Sequence, residues 1–475
     1  MADSALHLLQ PEQLDADGLK VLNPANGSVV ATVRRFDVPE LETIIEQAEA
    51  ARHPWAARTA KERSDVLRAW YDLLRENAED LARLMTLESG KPLDEARGEV
   101  RYGAAFVEWF SEEARRAYGE VIPSHASDKR VLTLRQPVGT CAAITPWNFP
   151  LAMITRKVAP ALAAGCSIVV KPANATPLSA LALESLAHRA GIPAALFRVV
   201  PARSSSQAGD LFCTHRLIRK ISFTGSTEVG KVIMAKAAGQ VKRLSFELGG
   251  NAPFIVFDDA DLDRAVAGAM ASRFRNAGQT CVCANRFIVQ AGIHDAFVER
   301  LGAKVAALRV EDGLDVDATM GPLIDQGAVE RVAGLVETAV REGAAIANEA
   351  PVVPASGAFH RPVVLVDVTT DMEIAHEEIF GPVAPVLRFS DESDALRIAN
   401  DTPFGLAAYV FTADAARQWR MMEGLEYGMV GVNDGLISTE VAPFGGIKES
   451  GFGREGSSHG LADYMNIKYC LLGGL

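Results

Sequence analysis

The feature that most constrains the fold is a regular alternation of short apolar strands and helices after Cys141. Residues 167–170 form a fully apolar run of the kind that is buried in a parallel sheet. The next helix is predicted to be capped by Thr176, to open with Pro177 and to end at Gly191. The elements predicted after it are a helix from about 227 and strands at 197–200, 217–223 and 243–246. This alternation predicts a parallel, doubly wound sheet that binds a ligand at the carboxyl ends of its strands.

A second series of strands and helices follows. A helix is predicted from Asp261 towards Arg275, and the strands at 254–257, 286–289, 385–389, 406–411 and 429–432. Upstream, apolar residues recur at helical spacing from about 39 to 118, and the break at 90–92 separates two of these helices. Two α/β units in one chain leave a cleft between them, which is the usual place for an active site.

Two strand-like segments, 131–135 and 465–471, have no obvious sheet of their own. We expect them to pair with each other or with another subunit. Because exposed strand edges favour pairing between chains, a homodimer or a homotetramer is the expected state.

Composition narrows the partners and the compartment. The 475 residues carry 48 Lys and Arg against 60 Asp and Glu, a net charge of −12, which argues against nucleic acid as a partner. No apolar run is long enough to predict a membrane span. The acidic start at 1–4 lacks the order of a secretion signal, and the six scattered cysteines indicate free thiols in a reducing cytoplasm.

Three segments carry candidate catalytic groups. Cys281, in 278–283 (GQTCVC), lies between a predicted helix and a strand and suits a nucleophile, although a buried packing thiol is the alternative. Glu247 precedes two glycines at a strand end, where burial would make it a general base; a solvated charge is the alternative. Asn148, in 146–150 (PWNFP), is held between prolines and suits an oxyanion donor, or else a structural turn.

Two further segments suit a dinucleotide. Residues 223–230 (FTGSTEVG) lie between a strand and a helix but lack the usual glycine fingerprint, so alone they indicate little. Lys171 and Asn174 follow a strand end and supply a cation and polar groups suited to ribose or phosphate. The pattern predicts no metal site.

Together these motifs resemble the nicotinamide-dependent aldehyde dehydrogenases over nearly the whole chain. The motifs that carry the resemblance, in the family's order, are ITPWN (144–148), KP (171–172), FTGS (223–226), ELGG (247–250), GQTC (278–281), EIFGP (378–382) and PFGG (443–446). Within the family, segments 153–157, 274–286 and 448–457 are most similar to succinate-semialdehyde dehydrogenases.

The resemblance implies an α/β fold with a doubly wound dinucleotide-binding domain, an α/β catalytic domain and a small β oligomerisation arm. The expected bounds are 1–125 and 141–250 for the first, 251–440 for the second, and 126–140 and 456–475 for the arm. It also implies that Cys281 attacks an aldehyde, that the Asn148 amide and the Cys281 N–H hold the oxyanion, and that Glu247 activates the water that hydrolyses a thioester.

For the cofactor, the resemblance implies that Lys171 and Glu378 hold the two riboses, with Phe380 near the nicotinamide ribose. The other expected contacts are Trp147, Gly225 and, near the pyrophosphate, Ser226. Many NAD-preferring members carry Glu where this chain has Asn174, and a neutral Asn removes the repulsion of a 2′-phosphate. Arg203 and Ser204 would meet that phosphate or form a solvated loop. We therefore expect NADP, with NAD as the alternative.

For the substrate, Arg156 and Arg275 match positions that hold a distal carboxylate, with Ser438 assisting; alternatively one arginine only pairs with an acidic neighbour. The expected reaction is oxidation of succinate semialdehyde, a step of 4-aminobutyrate degradation. The alternatives are glutarate semialdehyde and broader aldehydes, a catalytically silent member, or a thioester hydrolase. Cys283 raises a regulatory hypothesis, a disulfide with Cys281, for which the loop must bend; a packing thiol is the alternative.

Overall fold

The computed structural model describes residues 5–475, so the acidic start at 1–4 lies outside the described residues. The first part of the chain pairs two antiparallel strands and then forms four helices, as the helical spacing predicts. Their bounds are β1 (Leu14–Leu22), β2 (Val29–Val33), α1 (Val38–Ala56), α2 (Ala60–Glu76), α3 (Ala78–Ser89) and α4 (Leu93–Glu113). The predicted break is confirmed, because α3 ends at Gly90 in a left-handed conformation with φ +78°.

The first large sheet is the predicted parallel, doubly wound one. Its strands and helices in chain order are β5 (Thr140–Ile144), α5 (Ala152–Ala164), β6 (Ser167–Lys171), α6 (Leu178–Arg189), β7 (Phe197–Val199), α7 (Ser205–Thr214), β8 (Ile218–Thr224), α8 (Thr227–Ala237) and β9 (Arg243–Glu247). The strand order is β9-β8-β5-β6-β7, with all neighbours parallel. The chain direction across the sheet reverses between β5 and β8, so the loops after these strands frame a ligand crevice.

Alternation along these strands sends side chains to two cores. On β6, Ile168 and Val170 pack with α2 to α6, whereas Val169 packs with α1, α7 and α8. Because both faces of the sheet are covered, Ile168, Val169 and Val170 of β6 are all buried, which explains why this strand is recognisable as an apolar run.

The predicted cap of α6 is wrong. Thr176 does not cap this helix; its hydroxyl donates to the backbone oxygen of Trp147. The buried carboxylate of Glu88, at the end of α3, accepts instead from the N–H groups of Leu178 (2.7 Å) and Ser179 (2.9 Å). The end of one helix therefore supplies the cap of another, a relationship that local sequence does not reveal.

The second large sheet contains the later strands. In chain order its elements are β10 (Ala252–Val256), α9 (Leu262–Arg273), β11 (Ala284–Gln290), α10 (His294–Ala306), α11 (Gln326–Glu342), β12 (Ala345–Ile346), β13 (Val363–Val366), α12 (Glu373–His376), β14 (Val383–Phe389), α13 (Glu392–Asn400), β15 (Ala407–Phe411), α14 (Ala415–Gly424) and β16 (Met429–Val432). The strand order is β12-β13-β14-β11-β10-β15-β16, parallel except for β12. Asp261 caps α9 as the start of this helix predicts, whereas strands β12 and β13 were not among the predicted elements.

The two stray strands pair with each other. The remaining elements are β3 (Val121–Ile122), β4 (Lys129–Pro137), β17 (Gly451–Phe452), α15 (Ser457–Ala462) and β18 (Met465–Gly473). β18 pairs antiparallel with β4 along its whole length. β3 adds a third strand to this sheet, which therefore starts before residue 126, the expected start of the arm. β17 adds an antiparallel edge to the first large sheet beside β9.

Candidate active site

The crevice at the carboxyl edge of the first sheet collects residues from three loops. Trp147 and Asn148 follow β5, and Ser226 follows β8, where its hydroxyl caps α8 by accepting from Val229 N–H. Glu247 ends β9. These positions follow directly from the strand order, because the ends of parallel strands meet at one edge.

Cys281 reaches this crevice from the other sheet. It lies between the turn Arg275–Gly278 and β11, in a segment where Asn276 and Gly278 have φ of +51° and +75°. The Tyr409 hydroxyl donates to Val282 O at 2.7 Å and so anchors the loop that carries Cys281. A Cβ at Gly250 would lie 2.6 Å from the Cys281 carbonyl oxygen, so the predicted need for close approach at this glycine is met.

Cys281 lines two cavities. Cavity A, of about 260 Å³, is lined by Pro146, Trp147, Asn148, Thr224, Gly225, Ser226, Glu247, Leu248, Gly249, Cys281, Arg331, Glu378 and Phe380. Cavity B, of about 240 Å³, is lined by Lys91, Glu95, Gly98, Glu99, Tyr102, Phe149, Met153, Arg156, Arg275, Thr280, Cys281, Val282, Leu436, Ser438 and Phe444. The three expected catalytic residues therefore meet in cavity A, and the three expected carboxylate contacts meet in cavity B, with the thiol common to both.

Four expected cofactor residues lie outside the lining of cavity A. Lys171 ends β6, with its pKa lowered to about 8 by burial, and it forms no ion pair within residues 5–475. Asn174 follows it, and its Oδ1 is shielded without a hydrogen-bond partner among those residues. Arg203 is exposed, and Ser204 caps α7 by accepting from Gln207 N–H. These residues lie beyond the ends of β6 and β7, along the same carboxyl edge.

The sulfur of Cys281 is protonated at neutral pH. Burial raises the pKa of its thiol to about 12, and the nearby Glu378 carboxylate adds to the rise, whereas Arg156 opposes it. A nucleophilic thiolate therefore needs a proton acceptor close by.

Glu247 is suited to accept that proton. It is 3% exposed, and its Oε2 has no hydrogen-bond partner among the described residues. Burial raises its pKa well above the ordinary value, and the negative charge of Glu455 adds to the effect. A carboxylate with a raised pKa binds a proton readily, which is the property that a general base needs.

The Asn148 amide is held by the loop around Cys281. Its Nδ2 donates to Gln279 O at 3.1 Å, which leaves its second N–H for another acceptor. Its backbone oxygen accepts from Lys91 Nζ (2.8 Å) and from Asn276 Nδ2 (3.0 Å). The Cys281 backbone N–H makes no hydrogen bond within the described chain, so two donors remain for an oxyanion.

The two arginines of cavity B have different environments. Arg156 is 1% exposed and forms an ion pair with Glu455, whose other oxygen accepts from Lys157. The alternative of an acidic neighbour is therefore realised for Arg156, yet its side chain also lines the cavity and its Nη2 has no hydrogen-bond partner there. Arg275 is partly exposed, lies over the Phe149 ring at 5.4 Å and forms no ion pair within residues 5–475.

Cys283 lines neither cavity. Its buried thiol donates to Ser272 O at 2.9 Å. The loop does bend, with Cys283 N–H donating to Thr280 O, but the sulfur contacts the end of α9. This placement favours the packing role over the regulatory disulfide.

Several side chains around the two cavities have no clear sequence signal. Lys91 falls in the helix break at 90–92, but its contact with Asn148 O spans 57 residues. Glu455 falls in the family-like segment 448–457, but its partner Lys157 lies 298 residues away. Tyr102 and Glu99 belong to a face of α4 that looks amphipathic in sequence and becomes the wall of cavity B only after packing.

A nicotinamide dinucleotide fits the donors along this edge. Gly249 lies close to the Glu378 carboxylate, with a built Cβ 2.9 Å from Glu378 Oε2, and this carboxylate lines cavity A. Burial raises the pKa of Glu378 to about 7, and its Oε1 accepts from Gly250 N–H. Lys171 is suited to ribose hydroxyls or phosphate, and the unpartnered Asn174 Oδ1, which only accepts, is suited to a ribose hydroxyl.

Comparison with known proteins agrees with this geometry. The model of the aldehyde dehydrogenase family matches residues 11–470. A glutarate-semialdehyde dehydrogenase of Pseudomonas putida is 56% identical over 96% of this chain and 95% of its own. The NADP(+) succinate-semialdehyde dehydrogenase GabD of Escherichia coli is 54% identical over 98% and 97%. The crystal structure of a succinate-semialdehyde dehydrogenase from Burkholderia pseudomallei superposes with a TM-score of 0.96, at 50% identity and 98% coverage of both chains.

Proposed function

The chain belongs to the aldehyde dehydrogenase family, whose members are NAD(P)-dependent oxidoreductases, and we propose from this premise that it oxidises succinate semialdehyde to succinate. The observation that carries the proposal is the position of Cys281 between cavity A, with Glu247 and Asn148, and cavity B, with two arginines. An aldehyde that reaches this sulfur from cavity B would place a distal carboxylate among cations.

The residues of cavity A account for the covalent steps. As the Cys281 sulfur bonds to the carbonyl carbon, Glu247 accepts the thiol proton, and the Asn148 amide and Cys281 N–H stabilise the oxyanion. Nicotinamide, when bound, supplies a hydride acceptor, which turns the thiohemiacetal into a thioester. Glu247 releases the thiol proton to solvent, then takes a proton from water as the water oxygen adds to the thioester carbonyl, and the thiolate leaves as the carboxylic acid product forms. The thiol suits both halves, as a nucleophile and then as a leaving group.

NADP is the preferred cofactor in this proposal, with NAD as the alternative. Asn174 is neutral, so no carboxylate at this position would repel a 2′-phosphate. Arg203 is an exposed cation beyond β7 that would attract this phosphate. The relative from E. coli is named as an NADP(+) enzyme. We expect Asn174→Glu to lower kcat/KM for NADP while that for NAD is kept, and equal loss with both cofactors would contradict the assignment.

Glutarate semialdehyde is the second candidate substrate, because a glutarate-semialdehyde dehydrogenase is among the similar proteins. One methylene changes specificity by only about 1–3 kcal/mol, so the same cavity serves both with modest preference. A panel of C3 to C6 semialdehydes, followed by the absorbance of reduced cofactor, tests both. A highest kcat/KM for an aldehyde without a carboxylate would refute the proposal.

The sheet of β3, β4 and β18 is proposed as a contact between copies of the chain, in a homodimer or homotetramer. Strand β18 is an edge strand and exposes Ile467, Tyr469 and Leu471 at 66%, 60% and 45%. Exposed apolar edges are unusual unless they are covered. Light scattering of a variant truncated before 465 should report a smaller species.

The free thiols fit the reducing cytoplasm.

A further inference from the structure

Cavity B contains a hydroxyl group that the proposed reaction has not used. Tyr102 lies on α4, on the same face as Glu95 and Glu99, and all three line the cavity. Its hydroxyl oxygen is shielded from solvent and has no hydrogen-bond partner among residues 5–475. Buried hydroxyls are nearly always paired, so this one calls for an acceptor that the protein does not supply.

The Tyr102 ring is held in place from one side. It packs edge-on against Phe106, with ring centroids 5.1 Å apart and an interplanar angle of 77°. The Arg156 guanidinium lies 5.6 Å from the same Phe106 ring. A shared aromatic neighbour therefore fixes the tyrosine and the arginine near each other.

The acidic groups of the cavity already have partners. Glu99 binds Lys91 and accepts from Leu151 N–H, and Glu95 accepts from Asn276 N–H. By contrast, four side chains of the cavity carry a donor that lacks an acceptor within the described chain, namely the Tyr102 hydroxyl, the Thr280 hydroxyl, Arg156 Nη2 and Arg275 Nε. Burial raises the pKa of Tyr102 while Arg156 and Arg275 oppose the rise, so the phenol stays protonated and close to both cations.

We propose that Tyr102 is a specificity-determining residue, whose hydroxyl donates a hydrogen bond to the distal carboxylate of the substrate beside Arg156 and Arg275. This inference rests on the proposed function. A carboxylate offers lone pairs for several donors at once, and the charge of Arg156 is already balanced by Glu455. A neutral donor therefore adds recognition of the carboxylate without adding a further buried charge.

The test is Tyr102→Phe, which removes one oxygen and keeps the ring packing. We expect KM for succinate semialdehyde to rise about ten- to a hundredfold, as for loss of a hydrogen bond to a charged group, with kcat within about twofold. For butanal, which has the same carbon chain without the carboxylate, kcat/KM should stay unchanged. The matched control is Tyr118→Phe, since Tyr118 is 70% exposed.

A second measurement separates recognition from folding. Succinate, the product, should bind Tyr102→Phe more weakly by a similar factor in calorimetry, while thermal unfolding of the free variant stays like that of the wild type. Equal loss for succinate semialdehyde and butanal, or unchanged KM and succinate affinity, would overturn the inference. If the wild-type enzyme does not oxidise succinate semialdehyde, it is the proposed function that fails.

Discussion

The Arg156 guanidinium forms a buried ion pair with Glu455, although the two residues lie far apart in the chain. Glu455 also accepts from Lys157, and its negative charge raises the pKa of the Glu247 carboxyl. One carboxylate thus connects the wall of cavity B to the proposed general base of cavity A.

Replacing Arg156 by alanine is expected to lower both stability and affinity. The change leaves Glu455 buried with Lys157 as its remaining cation, and a broken buried pair costs about 3–5 kcal/mol. The matched variant Arg275→Ala should raise KM for succinate semialdehyde steeply with little change in thermal unfolding, because Arg275 forms no ion pair within the described residues. Unchanged KM in both variants would rule out the carboxylate assignment.

Alkylation of Cys281 should accelerate with pH. Since the thiol pKa in the free enzyme is raised to about 12, the thiolate fraction is small at pH 7 and grows about tenfold per pH unit. We expect the rate of inactivation by iodoacetamide to rise about a hundredfold between pH 7 and 9. A rate that is level across this range would show that the resting sulfur is already ionised.

Glu247→Gln should separate the two halves of the reaction. The glutamine is isosteric but cannot accept a proton, so water activation is lost and the thiol must ionise without its proton acceptor. We expect a single burst of reduced cofactor that is slow at neutral pH, faster at higher pH and followed by a stall, measured by stopped-flow absorbance, whereas Cys281→Ala should give neither burst nor turnover. Steady-state turnover of Cys281→Ala would contradict the mechanism.

Asn148→Ala should lower kcat by about a hundredfold or more, with a smaller effect on KM, because the amide acts on charge that develops during the reaction. The variant also loses the contact to Gln279 O, so its fold should be checked by circular dichroism. A kcat within about threefold of the wild type would remove Asn148 from the oxyanion site.

Peroxide inactivation should persist in Cys283→Ala. The Cys283 sulfur contacts Ser272 O and lines neither cavity, whereas Cys281 lines both. Inactivating oxidation is therefore expected at Cys281 rather than at Cys283. Two results would instead support the regulatory disulfide. One is that Cys283→Ala is protected from peroxide inactivation. The other is that dithiothreitol fully restores the oxidised wild type but not the oxidised variant.

Much of the fold was predictable because its signals are local. The apolar strand at Ser167–Lys171 is buried on both faces. Asp261 caps α9, the helix that begins at the next residue. The cap of α6 was not predictable, because Glu88 reaches it from another helix. Strands β4 and β18 were recognisable as strands, but their partner was left open, since strand pairing depends on contacts between distant segments.

The sequence by itself determined the alternation of elements, the two parallel sheets and the motif residues Cys281, Glu247 and Asn148, because periodicity and loop chemistry are properties of neighbouring residues. Only the tertiary structure decided that Arg156 is bound to Glu455 and that Tyr102 lines the same cavity. It also decided that, within residues 5–475, Arg275 has no ion-pair partner and the Tyr102 hydroxyl has no hydrogen-bond partner. Charge balance and hydrogen-bond satisfaction depend on distance in space, and folding sets those distances by bringing together residues that are remote along the chain.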